Sequence, residues 1–319
     1  MNTRNSSAAN LYTLLPVLGV ATLVLGCAGL RAAQPALPFD LKQLSIGLPE
    51  AGAPRAVVGP YAVTHESPAA KPGLLIYRPR ELRGFADGNA MPIVVWGNGA
   101  CLADGTEFAG FLSTIASYGF MVVGTSPVAG EPQARITSVN LIQALDWAQA
   151  ENARKGSALT GKINTHAVAV MGMSCGGNLA LEAARDPRVK TLGMWNSGVW
   201  ISGEMRTGDG TLLVATTKKD LALLHGPTLY INGDQIDPAM VNAADDFARL
   251  DHVPVFFGSR HGSGHAGTYK HANGGEFANI AVAWLRWQLK GDRKSGQVFT
   301  GQDCSLCTNP NWSVQKKGL

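Results

Sequence analysis

Near the middle of the 319-residue chain, Gly172-Met173-Ser174-Cys175-Gly176 follows the continuous apolar run Ala167-Val168-Ala169-Val170-Met171 and precedes the helix former Leu179-Ala180-Leu181-Glu182-Ala183-Ala184. A serine set between a buried strand and a helix is an arrangement for nucleophilic acyl transfer. The turn is so tight that its flanking positions must be glycine, because a Cβ there would strike the neighbouring strand or helix. It lifts the hydroxyl to the end of the sheet and the N-terminus of a helix, where the helix dipole and free N–H groups favour developing negative charge.

A hydroxyl needs a base, and the base an orienting carboxylate. After this kind of elbow the partners follow in the order Ser, Asp, His, each in a loop behind a strand. The acid is expected in Gly233-Asp234-Gln235-Ile236-Asp237-Pro238, where two carboxylates compete. Asp237, before Pro238 and a helix starting at Met240, is the better placed, with Asp234 left to shape the turn. For the base, His261, His265 and His271 all qualify by position, and His166 and His225 do not. Gly264-His265-Ala266-Gly267-Thr268 is the most loop-like setting, so His265 is the expected base. The oxyanion needs two backbone donors. One is expected from Cys175; the other from Asn98 or Gly99, which the residues do not separate. Cys101 and Cys175 then lie on facing loops, and either a disulfide there stiffens the oxyanion site or two buried thiols stay unpaired.

These residues need a scaffold, and the chain supplies one. Strand-like runs are expected at Val57 to Val63, Leu74 to Tyr77, Ile93 to Trp96, Phe120 to Val123, Leu192 to Trp195, Thr228 to Ile231 and Val253 to Phe257. Between them, Phe108, Phe111, Leu112 and Ile115 mark one helical face. Leu141, Ala144, Leu145 and Ala148 mark a second, capped by Ser138, and Phe277, Ile280, Ala281, Trp284 and Leu285 a last long one. Buried strands alternating with helices predict a mostly parallel sheet covered on both faces, in one α/β domain over residues 55–319.

Hydrophobic residues make up 45% of the chain and charged residues 16%, which excludes disorder throughout. The net charge of +4 is spread thinly, and no basic stripe suits nucleic acid. Met1 and Arg4 precede the uncharged apolar residues 11–26, and residues 34–54 are a linker rich in Ala, Pro and Gly. Residues 1–33 therefore read as an export signal, making the protein secreted or periplasmic. Val24-Leu25-Gly26-Cys27 resembles a bacterial lipobox, with Leu25 where a small residue is usual; Cys27 is either a lipid anchor or incidental to an ordinary cleaved signal. Export permits disulfides, so Cys304 and Cys307 are expected to close a short loop, there being no further ligands nearby for zinc. No metal, no cofactor and no partner chain is called for, and a monomer is expected.

With these residues in view, the chain resembles the α/β-hydrolase superfamily over roughly Arg55 to Gly296. Within it the chain is similar to bacterial cutinase-like polyester hydrolases and related secreted esterases. The likeness lies in Gly59-Pro60-Tyr61-Ala62-Val63, Ile76-Tyr77-Arg78-Pro79, the Gly-ended third strand and Ala116-Ser117-Tyr118-Gly119-Phe120. It implies hydrolysis of small or polymeric carboxylic esters through an acyl-enzyme. Those enzymes commonly carry His and Met beside the nucleophile, where this chain has Met173 and Cys175. The Asn98 to Cys101 loop lacks their aromatic residue, and the Cys304-Ser305-Leu306-Cys307 tail with Trp312 looks more like another group of secreted hydrolases. The interval from Ser174 to Asp237 leaves no room for a large lid, and Trp195 and Trp200 are candidates to wall the acyl pocket. The same triad would serve an amidase, a peptidase or an acyltransferase, and an idle binding protein could keep the fold without the chemistry.

Overall fold

A computed structural model describes residues 56–319, apart from 57, 87, 133, 202, 207–209 and 211. The expected export signal, the linker and Cys27 lie outside the described residues. All described residues belong to one unit, Asp40–Leu319.

The apolar runs form a nine-stranded sheet. Its strands are β1 (Val63–Glu66), β2 (Leu74–Pro79), β3 (Met91–Gly97), β4 (Met121–Thr125), β5 (Ile163–Met173), β6 (Val189–Trp195), β7 (Thr228–Gly233), β8 (Val255–Arg260) and β9 (Trp312–Lys317). They lie side by side in the order β1-β2-β4-β3-β5-β6-β7-β8-β9. From β4 to β8 the pairings are parallel, while β1, β2 and β9 run antiparallel to their neighbours. β3 and β7 are buried along their whole length, which is why they read as unbroken apolar runs rather than alternating ones. The two-residue period survives in what each side chain meets. Ile93, Val95, Val168 and Val170 enter one core, and Val94, Trp96, Ala169 and Met171 the other. Helices α2 (Ser138–Ala153), α3 (Cys175–Ala183) and α4 (Met240–Arg249) fill the first core with Leu145, Leu179 and Phe247. Helices α1 (Ala109–Ala116) and α5 (Gly275–Lys290) fill the second with Phe111, Ile115, Phe277 and Trp284.

Two expectations are corrected at the edges, and one strand that was not expected is added. The first strand starts at Val63 rather than at Val57. Gly59 and Tyr61 instead give their N–H groups to the Ser117 hydroxyl and carbonyl, at 2.8 and 3.1 Å. Gly59 lies so close that a Cβ would stand 2.3 Å from the Ser117 oxygen, and Pro60 has no N–H for a ladder. The cap of α2 is Thr137, not Ser138; the Thr137 N–H donates to Asn140 Oδ1 at 2.8 Å, which closes the first turn. The tail beyond the cysteines is not a loose end. Trp312–Lys317 forms β9 and covers the open edge of β8.

Candidate active site

The parallel strands point their C-terminal ends to one side, and the chemistry-bearing residues collect there. Ser174 sits between β5 and α3 with φ 54° and ψ −121°, a left-handed backbone that a non-glycine residue adopts only under constraint. The constraint is visible. A Cβ on Gly172 would lie 2.2 Å from the Gly176 carbonyl oxygen, and one on Gly176 would lie 2.2 Å from that of Gly97. The Ser174 N–H donates to the Trp195 carbonyl at 2.9 Å, and the Ser197 hydroxyl donates to the Ser174 carbonyl at 2.7 Å. The elbow is thus clamped between β3 and the end of β6.

His265, in the loop after β8, lies 2.9 Å through Nε2 from Ser174 Oγ and 2.8 Å through Nδ1 from Asp237 Oδ1. Asp237 accepts further N–H groups from Ala239 on Oδ1 at 3.0 Å and from Gly233 on Oδ2 at 3.0 Å. The Asn196 amide also donates to Oδ2, at 2.8 Å. Burial alone would raise this carboxyl, but the His265 hydrogen bond and charge, with Asn196 and Ala239, hold it below the ordinary carboxylate value. An ionised Asp237 is acceptor-only, so Nδ1 of His265 carries the proton and Nε2 is free to accept one from Ser174.

Asp234 does not reach the histidine. Its Oδ2 accepts the Gly262 N–H at 2.7 Å and its Oδ1 that of Ile236 at 3.2 Å, so it ties two loops together. His261 hydrogen-bonds Ser313 on β9 at 2.8 Å, and His271 precedes the short turn Ala272–Gly274. His225 meets the Val189 carbonyl at the other end of β6, and His166 is exposed early in β5.

Cys175 is the first residue of α3, where backbone N–H groups have no partner inside the helix. The facing loop Gly97-Asn98-Gly99 is stapled by the Asn98 side chain, whose Nδ2 donates to the Leu102 and Ala103 carbonyls and to Thr125 Oγ1 at 2.9–3.1 Å. Gly99 stands so near that a Cβ would lie 2.9 Å from Met173 Sδ. Cys101 and Cys175 are bonded to each other, with Cα atoms 5.2 Å apart, and so are Cys304 and Cys307, at 4.9 Å. Ala100 and Cys101 both have positive φ, 52° and 53°, and the bridge joins that bent loop to the elbow.

Trp195 is not a pocket wall. It is fully buried, packed against Phe111 and Phe277, and belongs to the core beneath the elbow. Trp200 is half-buried, and its neighbour Ile201 is 63% exposed. Ile236, 59% exposed, sits against the His265 loop, its Cδ1 only 3.5 Å from where a Gly264 Cβ would be. Three residues at this end of the sheet escaped the sequence reading: Asn196, Ser197 and Tyr269. The first two are a polar pair directly behind a buried strand, a signal that could have been weighed, since sites in such sheets form at strand C-termini. Among the described residues no group of His, Cys, Asp and Glu could hold a metal ion.

A family model described as "PETase: PET hydrolase-like" matches residues 49–316. No curated protein matches the chain.

Proposed function

This chain belongs to the PET hydrolase-like family, and from that premise we propose that Ser174, His265 and Asp237 cleave esters through an acyl-enzyme. Membership makes it an α/β-hydrolase and a carboxylic ester hydrolase. The observation that carries the mechanism is His265 bridging Ser174 Oγ and Asp237 Oδ1 at 2.9 and 2.8 Å.

His265 Nε2 takes the hydroxyl proton as Ser174 Oγ attacks the ester carbonyl carbon. The resulting oxyanion is held by the Cys175 N–H and by a backbone N–H of Asn98 or Gly99. As the tetrahedral intermediate collapses, His265 gives its proton to the departing alkoxide and the alcohol leaves. Water, deprotonated by the same nitrogen, then attacks the acyl-Ser174 carbonyl. Collapse of the second intermediate frees the carboxylic acid and returns the proton to Ser174. Asp237 stays ionised throughout and stabilises the transient imidazolium.

The substrate is a small or polymeric ester. Among the described residues between β6 and β7, the longest helical segment is the turn Lys218–Leu223, so the cleft has no helical lid. The exposed apolar side chain of Ile236 lies against the His265 loop, and Trp200 and the exposed Ile201 follow β6, whose C-terminal end faces the site. We further infer that residues 1–33 direct export and that residues 55–319 act as one catalytic unit. A panel of p-nitrophenyl esters of rising chain length, a p-nitroanilide and a polyester film tests the reading. Hydrolysis of short esters and film, lost in Ser174→Ala, is expected; preferential cleavage of the anilide, or interfacial activation on long chains, would overturn it.

A further inference from the structure

Behind the triad lies a buried polar chain that the hydrolytic mechanism does not use. Asn196 directly follows β6 and is fully buried, with φ 41°, a conformation asparagine tolerates better than most residues. Its Nδ2 faces two acceptors, Asp237 Oδ2 at 2.8 Å and the Gly264 carbonyl at 3.2 Å, immediately before His265. An ionised carboxylate and a carbonyl can only accept, so both require the nitrogen side of the amide. The oxygen side therefore faces the Tyr269 hydroxyl, which donates to Asn196 Oδ1 at 2.8 Å. Tyr269 stands in the same loop as His265, its ring buried edge-on among Phe108, Phe111 and Phe277 with centroids 5.1–5.5 Å away. The proton order is thereby fixed along the whole line: Tyr269 to Asn196, Asn196 to Asp237, His265 to Asp237, Ser174 to His265.

We infer that Asn196 and Tyr269 are positioning residues for this reaction: Tyr269 fixes the Asn196 amide, and that amide holds the Asp237 carboxylate and the His265 loop in register. The inference rests on the Ser-His-Asp reading above. Burial, then the charges of Asp237 and Glu107, keep the Tyr269 hydroxyl well above the usual phenol range, so it is a neutral donor at working pH. Losing the Asn196 donor leaves Asp237 Oδ2 and the Gly264 carbonyl without that amide, so the carboxylate that holds His265 Nδ1 and the loop that carries His265 are less firmly set.

The test uses Asn196→Gly, which suits the positive φ, and Tyr269→Phe, which keeps the ring and removes only the hydroxyl. Hydrolysis of p-nitrophenyl acetate is measured across pH, beside fluorophosphonate labelling of the wild type. Asn196→Gly is expected to lower kcat about 10- to 100-fold with little change in KM, and to displace the acid limb of kcat/KM. Tyr269→Phe should lower kcat about 3- to 10-fold. Since Tyr269 acts only through Asn196, the double variant should be no slower than Asn196→Gly alone. A wild type that labels while both variants keep its kcat and acid limb, losing only thermal stability, would overturn the inference alone. So would two effects that multiply in the double variant. A wild type that does not label would overturn the serine reading first, and this inference with it.

Discussion

Breaking the Cys101–Cys175 bridge should cost both stability and rate, and the two can be read separately. The bridge closes a loop of 74 positions between the oxyanion loop and the nucleophile elbow. In the chain-entropy description, a cross-link of that span removes about 4 kcal/mol of freedom from the unfolded chain. For a domain of this size that is about 10 °C in Tm. The rate effect has a different origin. Ala100 and Cys101 hold positive φ on the loop that carries Asn98 and Gly99, and the bridge keeps that bent loop against Cys175. Loss of one oxyanion donor costs about 100- to 1,000-fold in kcat. The Asn98 side chain still staples its loop to Leu102, Ala103 and Thr125, so a loosened donor should cost less, about 10-fold. The assay compares a Cys101→Ala/Cys175→Ala double variant with a Cys304→Ala/Cys307→Ala control, by thermal unfolding and by kcat on p-nitrophenyl acetate at a temperature well below both transitions. The first should lose both quantities. The control closes a loop of only three positions and should keep its kcat. A Cys101→Ala/Cys175→Ala variant with wild-type kcat would refute the oxyanion argument, whatever its Tm.

Asp237→Asn should drop kcat about 10,000-fold by removing the acceptor that fixes the His265 tautomer, whereas Asp234→Asn should leave kcat within a few fold; equal losses would reverse the assignment of the acid. Trp195→Ala should destabilise by about 3–5 kcal/mol as a core deletion in denaturant melts, while Trp200→Ala should leave stability nearly unchanged and raise KM for aromatic esters. Asp246 is buried, and burial raises its carboxyl to about 6 against the pull of Lys218. A folded pKa above the unfolded one contributes stability that is full below about pH 4 and lost as pH rises through 6, a difference of about 3 kcal/mol. The pH slope of Tm between 4 and 6 should accordingly be more negative in the wild type than in Asp246→Asn; matching slopes would count against it.

The central strands and the elbow were legible because burial on both faces demands unbroken apolar runs, and because only glycine fits at 172 and 176. His265 and Asp237 were legible as positions in loops, but their pairing is a matter of distance that no spacing encodes. Edges were harder to read. Trp312–Lys317 carries only Trp312 and Val314 as apolar residues, since an edge strand buries one face alone, and it passed for a tail. At the other edge, Gly59 and Tyr61 serve contacts with Ser117, which lies far along the chain. Trp195 misled because an aromatic residue beside a catalytic turn looks the same in sequence whether it faces the cleft or the core. Strand alternation settles which, since Met171 and Trp195 enter the same core. Asn196 and Tyr269 lie 73 positions apart and meet only when the loop after β8 folds back over the end of β6.

The most direct measurement is intact-mass and peptide analysis of the protein after treatment with a fluorophosphonate, alongside ester hydrolysis by Ser174→Ala. A single phosphonyl adduct located on Ser174, with labelling and hydrolysis both abolished in Ser174→Ala, is the predicted result. An unlabelled wild type, an adduct on another residue, or full hydrolysis by Ser174→Ala would contradict the assignment of the nucleophile.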